Sequence, residues 1–280
     1  MNASRTQFQQ QGFVHLDKTR ANLNLSRIES ALAEITQRAL SDQPDIMRGL
    51  VVVTEASNAE QLCRLEYLAG SSLYYAQELV PCLAQLIEQH LGHSVNLFKD
   101  KCNFKHPGGG AFTPHQDITA YRHFGTNYQV TAAVLLDAAV KENGALEVAT
   151  HWDMTPEGSQ LVNTPRGILP QLPCYQGGTR NGDIDDLLCE GMSWQRIDAA
   201  PGDVILFDSY VPHRSSENRS SSTRRILFFT FNLSSEGDFY QHYYNTKWAT
   251  PDNPIFHVST PTFHSARQYE PNQCHNPTEG

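Results

Sequence analysis

The chain has 280 residues, 39% hydrophobic and 18% charged, enough for a sizeable core built as one large domain or two small ones. A formal net charge of −9 argues against nucleic acid or an anionic membrane as the main partner, and no apolar run reaches the ~18 residues of a membrane span. The opening "MNASRTQFQQQGF" lacks the basic-then-apolar pattern of a secretory signal, and the six cysteines contain no C-x-x-C pair, so a cytoplasmic protein with reduced thiols is expected.

In chain order, "GFVHL" (12–16) reads as a short strand, and "NLSRIESALAEITQRAL" (24–40) as a helix. Leu25, Ile28, Leu32, Ile35 and Leu40 fall there at helical spacing, with Asn24 or Ser26 as cap. Two more helices are expected near 58–69 and 72–92, the second closing at Gly92. From about residue 94 the period changes to two. In "VNLFKDKCNFK" (95–105), Lys99, Lys101, Asn103 and Lys105 share one face. Phe98, Cys102 and Phe104 share the other, with Asp100 as the exception. Further strands are expected at 128–137, 145–149, 203–207 and 223–232, interrupted by a Gly-, Pro- and Asp-rich insertion at 152–197 that reads as a lid. The polar, Tyr-rich stretch from Ser234 is expected to wrap the outside. Helices followed by strands predict a mainly antiparallel β core, a sandwich or jelly roll with helices packed on one sheet and a mouth for a small ligand.

The chemistry-bearing motif is "FTPHQDITAY" (112–121), directly after "HPGGG". In an extended strand His115 and Asp117 would point the same way, roughly 6–7 Å apart at Cα, within reach of one metal ion. A third ligand comes from "PGDVILFDSYVPHRSS", which turns into a strand and out again at His213, with Arg224 eleven residues later. Two histidines and a carboxylate on a β scaffold match the facial triad of non-haem iron(II) oxygenases, which leaves coordination positions for a 2-oxo acid and O2. Arg224 offers the planar fork that suits the far carboxylate of 2-oxoglutarate. A metal-dependent isomerase or lyase would not need that arginine.

"KDKCNFKHPGGGAFTPHQD", "NGALEVATHW" and "PGDVILFDSYVPHRSS…STRR" together resemble the phytanoyl-CoA dioxygenase family of iron(II)/2-oxoglutarate oxygenases. The resemblance runs from about 95 to 232. Within the family it is nearest to bacterial hydroxylases of 2-aminoethylphosphonate and its N-methylated relatives, and more distant from ectoine hydroxylases. It implies a single 1–280 domain folded as a double-stranded β-helix. Residues 1–93 would form helical support and 94–233 the core, with 234–280 as a wrap. It also implies iron held by His115, Asp117 and His213, and 2-oxoglutarate anchored by Arg224 with Asn103 assisting. "ATHW" departs from the "PGSH" usual in the family after the glycine-led strand, which bears on the lid. A carboxylate at Asp117 points to hydroxylation, since halogenases of this fold carry Gly or Ala there.

The cations gathered around the iron motifs exceed what 2-oxoglutarate needs and imply a second anion on the substrate. Lys101 and Arg122 are the candidates to bind it, with Phe112, Tyr121 and Phe228 as rings that cover the substrate or receive an ammonium end. The expected reaction is hydroxylation at C1 of 2-aminoethylphosphonate or its trimethylammonium analogue. The alternative is hydroxylation of an amino acid or secondary metabolite on the same fold. A small-molecule substrate is the expected partner, with a homodimer as the candidate assembly.

Overall fold

In a computed structural model of the chain, the described residues are 3–40, 49–55, 58–152, 154–250, 253–256 and 264–268. Helix α1 (Ala3–Gln11) leads into strand β1 (Phe13–Leu16), and the short α2 (Lys18–Ala21) into α3 (Leu25–Ala39). Asn24 caps α3 by accepting from the Arg27 N–H, and its apolar stripe buries Ile28, Leu32 and Ile35, while Leu40 is left exposed.

The helix expected at 58–69 is instead β3 (Asn58–Glu66), antiparallel to β2 (Val51–Glu55), and only Leu68–Ser71 that follow are helical (α4). Leu62, Leu65 and Leu68 recur every third residue and imitate a helical stripe. The ladders to β2 and to the next strand override that local preference. Chain Tyr75–Leu79 winds as a wide π turn ahead of Pro81, which has no N–H to give, and continues into α5 (Val80–Leu91). Gly92 ends α5 in the left-handed region (φ +83°), as expected from the sequence.

The remaining elements are β4 (Val95–Lys105), β5 (Phe112–His115), α6 (Ile118–Tyr121), β6 (Gln129–Leu135), β7 (Leu146–Ala149), β8 (Gln160–Thr164), β9 (Gly167–Gln171), α7 (Asp186–Glu190), β10 (Trp194–Arg196), β11 (Val204–Asp208), β12 (His213–Ser215), β13 (Arg224–Leu233), α8 (Tyr240–Ala249) and β14 (His264–Gln268). They form a large sheet in the order β1-β11-β6-β13-β4-β3-β2-β14 and a small one in the order β10-β7-β12-β5. The two sheets are the halves of a double-stranded β-helix, the jelly roll expected from the motifs. Every residue of β6 and of β11 is buried, because α3 and α5 lie with the core on one face of the large sheet and the small sheet closes the other. The N-terminal third is therefore more than helical support, since β1, β2 and β3 complete the large sheet. Among the described residues no helix is long and apolar enough to cross a membrane.

Three features of β4 and its surroundings differ from the alternation expected. A bulge opposite Thr230/Phe231 inserts Phe98, so its ring leaves the Cys102 face and packs 5.1 Å from Tyr121 and from Tyr243. The odd carboxylate, Asp100, is wholly buried. Its two oxygens accept from the Leu68 and Ala69 N–H groups at 2.6 and 2.9 Å and from the hydroxyls of Tyr240 and Tyr244. Within the segment expected to wrap the outside, α8 docks through these tyrosines and buries Tyr243, Tyr244, Lys247 and Trp248. Asp100→Ala should strand the donors now satisfied and lower the unfolding free energy by about 2–4 kcal/mol. Urea unfolding measures this, and a loss below about 0.5 kcal/mol would remove Asp100 from the docking of α8.

Candidate active site

The pocket between the sheets opens beside the "FTPHQDITAY" motif. Strand β5 is positioned by the glycine loop before it: Gly108 sits at φ +78°, and a Cβ on Gly109 would come within 2.8 Å of the His106 carbonyl. The strand ends at His115 itself. Asp117 adopts helical angles (φ −58°, ψ −31°) at the start of α6, so the two side chains converge around a corner and do not share a strand face. Gln116, buried between them, locks that corner by donating to the Pro170 and Tyr210 carbonyls and accepting from the Leu172 N–H. The sequence motif gives no sign of this role, because a polar residue between two metal-ligand candidates reads as exposed.

His213 stands directly opposite His115 in the β5–β12 ladder, with ring centres 4.2 Å apart. One ligand atom from each of His115, Asp117 and His213 lies within 4.8 Å of the others. The Nδ1 of His115 is 2.7 Å from the Thr113 carbonyl and that of His213 is 3.0 Å from the Val211 carbonyl. Each Nδ1 thus holds its proton and each Nε2 keeps a lone pair for a metal. Burial, then the neighbouring His213, lowers His115 to about 3, so it stays neutral as a ligand must. Burial works to raise Asp117, but the positive charge around it outweighs that cost and keeps the carboxylate ionised. Two imidazole nitrogens and one carboxylate that converge on one point, with pocket space beside them, fit a divalent iron.

Deeper in the same pocket, Asn103 and Arg224 line the wall with Thr131, Ile205 and Ile226. Arg224 is 3% exposed, and its Nη1 donates to the Gly144 carbonyl. The buried Nε of Arg224 and Oδ1 of Asn103 have no hydrogen-bond partner, so the pocket floor has unmet polar capacity. Lys105, paired with Arg224 across β4 and β13, was not singled out from the sequence for this place. Its Nζ donates to Ser215 Oγ at 2.9 Å and to the Ser216 carbonyl. Burial, then Arg224, lowers Lys105 to about 7, and burial lowers Arg224 to about 10. Arg224, a buried cation in the pocket lining, with Lys105 behind Ser215 of the same lining, fits a bound carboxylate.

On the other side of Asp117 lies a second cleft, lined by Lys99 and Lys101 from β4, Arg64 and Glu66 from β3, and Lys247 from α8. Arg64, Glu66 and Lys247 were missed in the sequence because the β3 stretch reads as a helix and α8 as an outer wrap. The β3–β4 register, Arg64 opposite Asn103 and Glu66 opposite Lys101, puts all four side chains on the pocket face. Burial, then Lys99 and Arg64, lowers Lys101 to about 7.

Among the other candidates, Phe112 and Tyr121 line both clefts, and Phe228 lines the deeper one. Arg122 does not line either. It turns to the lid, where its Nη1 donates to Gln160 and Gln171 of the β8–β9 hairpin. The 152–197 insertion is therefore tied down. Arg166 at the hairpin tip pairs with buried Asp208 at 2.6 Å, and Thr113 donates to Asp183 at 2.6 Å.

A profile of the phytanoyl-CoA dioxygenase (PhyH) family matches residues 8–226. A 2-aminoethylphosphonate dioxygenase from the uncultured bacterium HF130_AEPn_1 is 31% identical over 249 residues, 87% of this chain and 86% of that protein. A methylphosphonate hydroxylase from Gimesia maris is 35% identical over 188 residues, 66% of this chain and 64% of that protein. Among solved structures, EctD from S. alaskensis with 2-oxoglutarate and 5-hydroxyectoine superposes with a TM-score of 0.60 at 19% identity, covering 84% of this chain and 77% of that one. The carbocyclase SnoK from nogalamycin biosynthesis gives 0.59 at 12% identity, with 83% and 84% covered; both share the fold. The profile match and the relative that spans most of both chains agree with the motifs, and the chain belongs to the phytanoyl-CoA dioxygenase family of iron(II)- and 2-oxoglutarate-dependent oxygenases.

Proposed function

We propose that the enzyme hydroxylates the carbon bonded to phosphorus in a small organophosphonate, a class that includes 2-aminoethylphosphonate, its trimethylammonium analogue and methylphosphonate. The observation that carries this reading is the pair Lys99 and Lys101 in the cleft beside Asp117, cations beyond those that 2-oxoglutarate needs. Names of two relatives point to the same class. In this reading His115, Asp117 and His213 hold iron(II), and Arg224 takes the distal carboxylate of 2-oxoglutarate with Asn103 beside it. Iron(II), when bound, supplies the oxidising chemistry with O2 and 2-oxoglutarate.

The protein's own contribution is placement. Lys101 and Lys99 draw the phosphonate toward β4, and Phe112 and Tyr121 limit where the rest of the molecule can lie. A carbon one bond from the anchored phosphorus is then held toward the triad, so the site of oxidation is selected by position. Asp117 is kept ionised for the metal, and Tyr121 covers it from the cleft side.

The test is phosphorus NMR of aerobic reactions with iron(II), ascorbate and 2-oxoglutarate, with succinate measured in parallel. A 1-hydroxyphosphonate appearing in step with succinate supports the reading. Oxidation of an amino acid or cyclic metabolite, with every phosphonate untouched, would replace the substrate class. Lys101→Gln should raise the phosphonate KM by at least about tenfold, the loss of one charge-assisted contact. Slow conversion of 2-oxoglutarate to succinate without substrate should persist in that variant. An unchanged KM would move the anchor to Lys99 or Arg64.

A further inference from the structure

We propose that the preferred substrate is a phosphonate dianion with no cationic end, and that the Lys247–Glu66 pair is the element that rejects an ammonium group. This rests on the phosphonate reading above and sharpens it.

Four cations, Arg64, Lys99, Lys101 and Lys247, line the second cleft with two carboxylates, Glu66 and Asp117, an excess of two positive charges, and Asp117 is committed to the metal in the reading above. A substrate ammonium there needs either a carboxylate or the face of an aromatic ring. Glu66 is already used: Lys247 Nζ lies 2.8 and 2.7 Å from its two oxygens, and Arg64 Nε is 2.7 Å from one of them. The rings are used as well. Lys99 Nζ is 4.5 Å from the centre of Tyr121 and 5.6 Å from that of Tyr243. Lys247 is 5.2 Å from Phe256, and Lys105 is 5.3 Å from Phe112. Each aromatic ring among the described residues of this cleft therefore already has a lysine ammonium within 6 Å of its centre. An ammonium or trimethylammonium end would meet like charge at each of these rings. A dianion meets a net positive lining, since Glu66 is neutralised by Lys247 and Arg64. The cleft thus departs from the zwitterion expected from the sequence, whose ammonium end was to be received by a ring such as Tyr121.

Glu66 makes the device reversible. Its carboxylate lines the cleft and is 3% exposed, held ionised against the cost of burial by Lys247 and Arg64. Taking away the Lys247 charge would leave a carboxylate in the cleft with one partner fewer, the group an aminoalkylphosphonate requires.

The experiment compares kcat/KM for methylphosphonate, ethylphosphonate and 2-aminoethylphosphonate, read by phosphorus NMR and succinate formation, in the wild type and in Lys247→Met. In the wild type both alkylphosphonates should exceed 2-aminoethylphosphonate by at least about tenfold. Lys247→Met should erase most of that preference, and Glu66→Gln added to it should restore the preference. Calorimetric binding of methylphosphonate and 2-aminoethylphosphonate to wild-type protein, loaded with iron(II) and 2-oxoglutarate without oxygen, makes the same comparison should Lys247→Met fail to fold. Equal or tighter binding of 2-aminoethylphosphonate would overturn the proposal, as would an unchanged preference in a folded Lys247→Met enzyme. If no phosphonate binds or is oxidised at all, the phosphonate reading itself falls and the proposal with it, an outcome distinct from a reversed order of preference.

Discussion

Asp117→Ala is expected to abolish hydroxylation and to weaken iron(II) binding by more than about 100-fold. The hydrogen-bond partners behind a metal ligand typically cost about 10–100-fold when removed, and loss of the ligand itself must cost more. Asp117 is also the only carboxylate among the three candidate ligands, so its removal leaves two imidazoles and no anionic ligand for a divalent cation. Gln116 would still fix the corner through its three hydrogen bonds, so the variant should fold. Anaerobic iron(II) titration and single-turnover assays check this. A variant that hydroxylates at the wild-type rate would show that the triad is misassigned.

Arg224→Ala is expected to raise the 2-oxoglutarate KM by about 30-fold or more while leaving the phosphonate KM nearly unchanged. Truncating one member of a buried charge pair costs on the order of 2–5 kcal/mol, much of it from the anion left without a partner. The neighbouring Lys105 should preserve residual binding, because its Nζ lies at the same end of the pocket beside Ser215. Arg225, adjacent in sequence, is not available as a substitute: it is committed to Asp137 and Glu29. Arg224→Lys should recover part of the loss and no more, since a point charge lacks the guanidinium fork. An unchanged KM would transfer the anchoring role to Lys105, and the double variant would then show the full effect.

Short-range patterns made the candidate chemistry legible along the chain. H-x-D, the late histidine and the arginine eleven residues on were legible because a facial triad uses a few residue types at characteristic positions. The strands of the core were legible from their period of two, and Gly92 from the end of its helix. The shape of the iron corner was not, because alternation cannot show that the strand stops at His115 and that Gln116 folds the chain back. Nor was the second cleft. Arg64 and Glu66 fall in a stretch whose leucines recur at helical spacing, and only the ladder to β4 turns them toward the pocket. Lys247 comes from a distant segment that reads as exterior, and is drawn in because Tyr240 and Tyr244 of the same helix find their partner in buried Asp100. Arg122 shows the converse: near the motif in sequence, it is spent on two glutamines of the lid. Candidate ligands are marked by local patterns, which survive in the sequence. The charge balance of a cleft is a sum over segments far apart along the chain, and only the tertiary structure brings them within Coulombic reach of one another.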